Sequence, residues 1–140
     1  MVTNMVSIIH EQEAMLGQLE FLNKLVTSKC KEPTIPRAIN KNDISQLILM
    51  VCYLREGLED LYAREDNYVL SKIDLRDSGE IKYKHKEVID SLHMIYRLLI
   101  NLNPTTPVTE EYLSGIIKQL YNFVSNLSIQ EIEIFQSYNN

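Results

Sequence analysis

The chain has 140 residues, a length for one domain (1–140), with 45% hydrophobic and 24% charged residues, the composition of a globular protein. Its net charge of −5 and pI of about 5.2 leave no electrostatic footprint for nucleic acid, and no apolar run approaches the ~20 residues of a membrane span. Four glycines and four prolines, the prolines in two pairs between long periodic segments, favour helices over a many-turned β fold.

Residues 1–5 lack the basic and apolar regions of a signal peptide, so a cytoplasmic location is the expectation. Met5, Ile8, Gln12, Met15, Leu19, Leu22 and Val26 then recur at steps of three and four, which predicts an amphipathic helix of roughly 25 residues with one polar break, at Gln12. Gly17 lies off that seam. His10 is turned ~200° from Gln12 around the helix and should face solvent. Lys31 to Lys41, with Pro33 and Pro36, reads as a loop. Cys30 and Cys52 form neither a CxxC pair nor a disulfide framework and are read as free thiols used as small apolar residues.

Asn42 is placed to cap a second helix, whose seam runs Ile44, Leu47, Val51, Leu54, Leu58, Leu61, Glu65, Tyr68. A short connection is expected from Asp74 to Gly79, with Ser78 as a cap. The third seam is Ile81, His85, Val88, Ile89, Leu92, Ile95, Tyr96, Leu99, with His93 about 80° from His85 and at the margin of the stripe. Asn103 to Pro107 separates this from a fourth helix, which Pro107 could open and Glu110 and Glu111 favour at its positive end. Its seam is Leu113, Ile116, Ile117, Leu120, Val124, Leu127, Glu131, Ile134, and Ser137 to Asn140 should fray. The pattern predicts an all-α, up-down-up-down antiparallel four-helix bundle.

In such a bundle the start of one helix lies beside the end of the next. Gln12 is early, Glu65 late, His85 early and Glu131 late in their helices, so all four should meet at one end and one depth. A buried carboxylate is costly unless paired, protonated or bound to a cation. Two carboxylates, an imidazole and an amide form a constellation that bundles use to hold a metal.

At these residues the sequence resembles the hemerythrin-like, or HHE cation-binding, domains. Ile8 to Leu16 and Lys84 to Ile89 resemble the family's two glutamate-histidine segments. Leu61 to Leu70 and Leu127 to Phe135 resemble its two histidine-x-x-x-glutamate segments. The resemblance implies a four-helix bundle with a non-haem di-iron centre serving oxygen binding, iron handling or sensing. The departures imply a depleted ligand set: Gln12 stands where the resemblance places one histidine, and Leu61 and Leu127 where it places two more. An alternative register in the fourth helix would put Asn126 and Gln130 at the ligand positions.

Gln12, Glu65, His85 and Glu131 are thus the candidate metal residues. They suit either a metal-free hydrogen-bonded core network or a single Fe, Zn or Mn ion, and are too few for two irons with full shells. Tyr62 and Tyr68 are placed to donate hydrogen bonds into the site. The acidic run Glu56, Glu59, Asp60 and the basic run Lys82, Lys84, Lys86 read as solvated faces. No nucleophile–base pair, phosphate loop or cofactor motif argues for an enzyme. The expectation is a non-catalytic, degenerate hemerythrin-like domain, monomeric or homodimeric. The alternatives are a protein-interaction or chaperone-like bundle, with Phe21, Leu49 and Tyr53 outside the seams, and a metal or redox sensor.

Overall fold

A computed structural model describes residues 5–27, 41–68, 72–101 and 110–138. Cys30, Val69, the Pro33–Pro36 segment and Asn103 to Pro107 lie outside them, as do the side chains of Asn42 and Tyr68. Four α-helices occupy the described chain: α1 (Met5–Thr27), α2 (Lys41–Tyr68), α3 (Leu75–Ile100) and α4 (Glu110–Tyr138). Each packs against its two chain neighbours around the ring, with α4 closing on α1.

The antiparallel sense follows from individual contacts. Arg64, late in α2, reaches Glu11, early in α1, at 2.8 Å. Further along the pair, Met15 lies against Gly57. Ser114 at the start of α4 donates to Asn23 at the end of α1 at 2.7 Å. Lys84 early in α3 donates to Gln130 late in α4 at 2.5 Å. An up-down-up-down bundle is therefore the observed architecture.

The seams read from the sequence are the core. Ile8, Leu19, Leu22, Leu54, Leu58, Leu61, Leu92, Ile95, Leu113 and Ile117 are fully buried in one continuous cluster. Burial of these side chains at about 25 cal/mol per Å² is the main force holding amphipathic helices together. A smaller cluster, Ile81 and Phe135 with Ile73 and Ile134, packs one turn beyond His85 and Glu131, towards the end of the bundle. A polar layer lies where the two meet, with Ile8 of the large cluster one turn beyond Gln12. Phe21, Leu49 and Tyr53 are exposed, at 54%, 70% and 68%. Among the described residues no helix is long and apolar enough to cross a membrane.

Helix ends differ from the sequence expectation at three places. Helix α3 begins at Leu75 rather than after a connection reaching Gly79. The cap is Asp74, whose carboxylate accepts from the Asp77 backbone N–H at 2.8 Å, so Ser78 falls inside the first turn and is buried. Gly79 takes a helical conformation there, with no positive φ. Helix α2 already includes Asn42, which is therefore not its cap. At the other end of the chain α4 continues through Ser137 and Tyr138, the Ser137 hydroxyl donating to the Ile134 carbonyl at 2.7 Å.

Candidate metal centre

Each polar seam residue is carried inward by the apolar residues one turn away on its own helix. Ile8 precedes Gln12, Leu61 precedes Glu65, Val88 follows His85 and Leu127 precedes Glu131, all buried. Burying those neighbours forces the polar side chains inward too, because i and i+4 share a face. Glu65 and Glu131 are 0% exposed, and Gln12 and His85 are 4% exposed. All four sequence candidates meet in one buried polar layer.

The Gln12 amide joins the two carboxylates. Its Nε2 donates to Glu65 Oε1 at 2.7 Å and also to Glu131 Oε2. His85 Nε2 donates to Glu131 Oε1 at 2.5 Å. The same nitrogen is 3.2 Å from Glu65 Oε2, close enough for an ion pair but not aligned as a hydrogen bond, and Glu65 Oε2 is left without a donor. On the opposite side of the ring, His85 Nδ1 lies 3.6 Å from Asp66 Oδ1, at the bundle surface. The Tyr62 ring stacks on the imidazole face, centroids 3.7 Å apart and planes 7° from parallel.

These contacts set the charge states. Burial alone would lower the affinity of His85 for a proton, but Asp66, Glu131 and Glu65 outweigh it and push its pKa up to about 11. Burial and the neighbouring Glu131 push Glu65 up to about 7, against the opposing pull of His85. The Tyr62 hydroxyl is held protonated by burial and by the two carboxylates. A charged imidazolium thus faces a pair of carboxyl groups of which one holds its proton easily. The arrangement nearly balances its own charge, which is what allows it to be buried.

Glu65, His85 and Glu131 each offer one ligand atom within 4.8 Å of the others, and this is the one such group among the described residues. Three ligands, with Gln12 beside them, suit one cation once the imidazolium gives up its proton. They do not suit the di-iron centre that the resemblance implies, which in carboxylate bundles takes about six inward-pointing side chains. Leu61 and Leu127, one turn before the two glutamates, are buried and have no lone pair to give.

On α4, Leu127 and Glu131 face inward while Asn126 is exposed. Gln130 instead reaches across the surface to Lys84 and, at 3.4 Å, to Glu80. Lys84 is consequently half-buried rather than freely solvated, whereas Lys82 and Lys86 are exposed. His10 is exposed. His93 takes no part in the site; its Nδ1 is 3.1 Å from Arg55 Nη1 on α2. Cys52 is a free thiol.

Two contributors were not legible in the chain. Tyr62 was placed near the site as a hydrogen-bond donor, whereas its ring face is what touches His85. Asp66 was not singled out at all, although its place next to Glu65 at the seam margin was the available signal. The chain matches no family model, no curated protein and no solved structure.

Proposed function

We propose that this chain is a non-catalytic hemerythrin-like bundle in which a closed polar cluster stands in place of a di-iron centre. The carrying observation is the Gln12 amide spanning Glu65 and Glu131, with leucine one turn before each glutamate. Donors and acceptors within the protein satisfy most of the pocket, so the bundle does not need a metal to bury these groups. Elemental analysis of protein purified without chelator, with a near-ultraviolet absorption spectrum, tests the reading. It expects substoichiometric iron and no oxo-bridged di-iron bands. Clear di-iron absorption would overturn it.

A second reading, a site for a single Fe, Zn or Mn ion, has its own support. Glu65, His85 and Glu131 already converge, and the buried Glu65 Oε2 has no hydrogen-bond donor. It expects one equivalent of a divalent ion to bind chelator-stripped protein and to raise its melting temperature.

A further inference from the structure

The position of the Gln12 amide has a bearing on the single-ion reading. An NH₂ group has two hydrogens, and here each goes to a carboxylate: one to Glu65 Oε1 at 2.7 Å, the other to Glu131 Oε2. An ion held by both glutamates must displace what already joins them: the amide across Glu65 Oε1 and Glu131 Oε2, beside the His85 N–H that faces the other two oxygens. Both carboxylates are fully buried, so neither can turn outward to water to meet an ion elsewhere. The pocket nevertheless keeps one acceptor for a ligand, since Glu65 Oε2 lacks a donor. Among the described residues of α1 no other group competes for the pocket. The neighbouring Glu11 points sideways to Arg64, and His10 and Glu13 are exposed.

We propose that Gln12 is a latch on this pocket: its amide competes with a single divalent cation for Glu65 and Glu131, and so sets how tightly the Glu65–His85–Glu131 group takes metal. This rests on the second reading above. The amide is neutral and leaves the carboxylates' charge to the imidazolium alone; a divalent cation that displaces the amide, and takes the place of the proton His85 releases on coordinating it, gains that charge interaction. Removing the amide therefore favours the cation.

The test uses the full chain, stripped of metal, and Mn²⁺ as probe, followed by electron paramagnetic resonance and calorimetry. Gln12→Met keeps the length of the side chain and removes its donors, and a thioether has little affinity for so hard an ion. Gln12→Ala serves as a second variant should the first fail to fold, with circular dichroism checking both. The expected result is binding at least about tenfold tighter than in the parent, the loss of roughly one charge-assisted hydrogen bond. In the Gln12→Met background, Glu131→Gln should abolish it. Equal or weaker binding in the folded variants overturns the latch alone. No Mn²⁺ binding in the parent or in either variant overturns the latch together with the single-ion reading, and leaves the metal-free reading standing.

Discussion

At the scale of single residues, His85 is the member of the cluster on which the others depend. Its imidazolium compensates two buried carboxyl groups. Replacing one partner of such a group leaves uncompensated charge, whereas replacing every member leaves none. His85→Leu should therefore cost about 3–5 kcal/mol in urea denaturation. Changing Gln12, Glu65, His85 and Glu131 together to apolar residues of similar size should recover most or all of that. A quadruple variant weaker than His85→Leu would contradict this account. The pH dependence has a definite sign. Glu65 and His85 both bind protons more tightly folded than unfolded, so the stability they contribute falls as pH rises. Glu65 contributes stability that is present below 4.5 and lost through about 7; His85 contributes stability present below 6.5 and lost through about 11. The slope is at most about 1.4 kcal/mol per pH unit for one proton. Glu65→Gln should flatten the acidic part and shorten the alkaline part without removing it, as read from urea midpoints across pH. If Leu61 and Leu127 occupy lost ligand positions, changing both to His should increase iron uptake. Unchanged uptake in a folded double variant counts against that alignment.

At the scale of the helices, propensity and packing make separable contributions. Gly17 and Gly115 have nothing within 4 Å of where a Cβ would be, so alanine at either gains helix propensity at no steric cost. Each change should stabilise by about 0.8–1 kcal/mol. At Gly57 the same Cβ meets Met15 Cε at 3.0 Å and Sδ at 3.1 Å. Alanine there should gain distinctly less, because the end of Met15 must move. Equal gains at all three would mean that the α1–α2 contact is looser than described. Asp74→Ala removes the α3 cap and should cost about 1 kcal/mol, measured as a lower urea midpoint.

At the scale of the whole molecule, the polar layer divides the interior unequally. The large cluster extends from it along most of the bundle, and the small one, beside Ile8, closes the end. Phe135 is the largest side chain of that closure. Phe135→Ala should cost about 3–5 kcal/mol. It should also speed hydrogen exchange around His85 more than around Leu54, which lies in the large cluster. Uniformly faster exchange would show that the small cluster has no separate sealing role.

The helical period is a local property, so the four seams, the inward glutamates and the one-sided placement of Gln12, Glu65, His85 and Glu131 could be read from the chain alone. Apolar residues one turn away carry the polar residues inside whatever the partner helix does. Helix limits were less legible, since a cap such as Asp74 is chosen among neighbouring candidates by which carboxylate reaches a free N–H. What packing alone decided were the contacts between helices. The stacking of Tyr62, the approach of Asp66 to His85 and the amide of Gln12 lying between two carboxylates depend on how far each helix is rotated and shifted against the next. No spacing within one helix encodes that rotation; it is set by how side chains from all four fill the same interior.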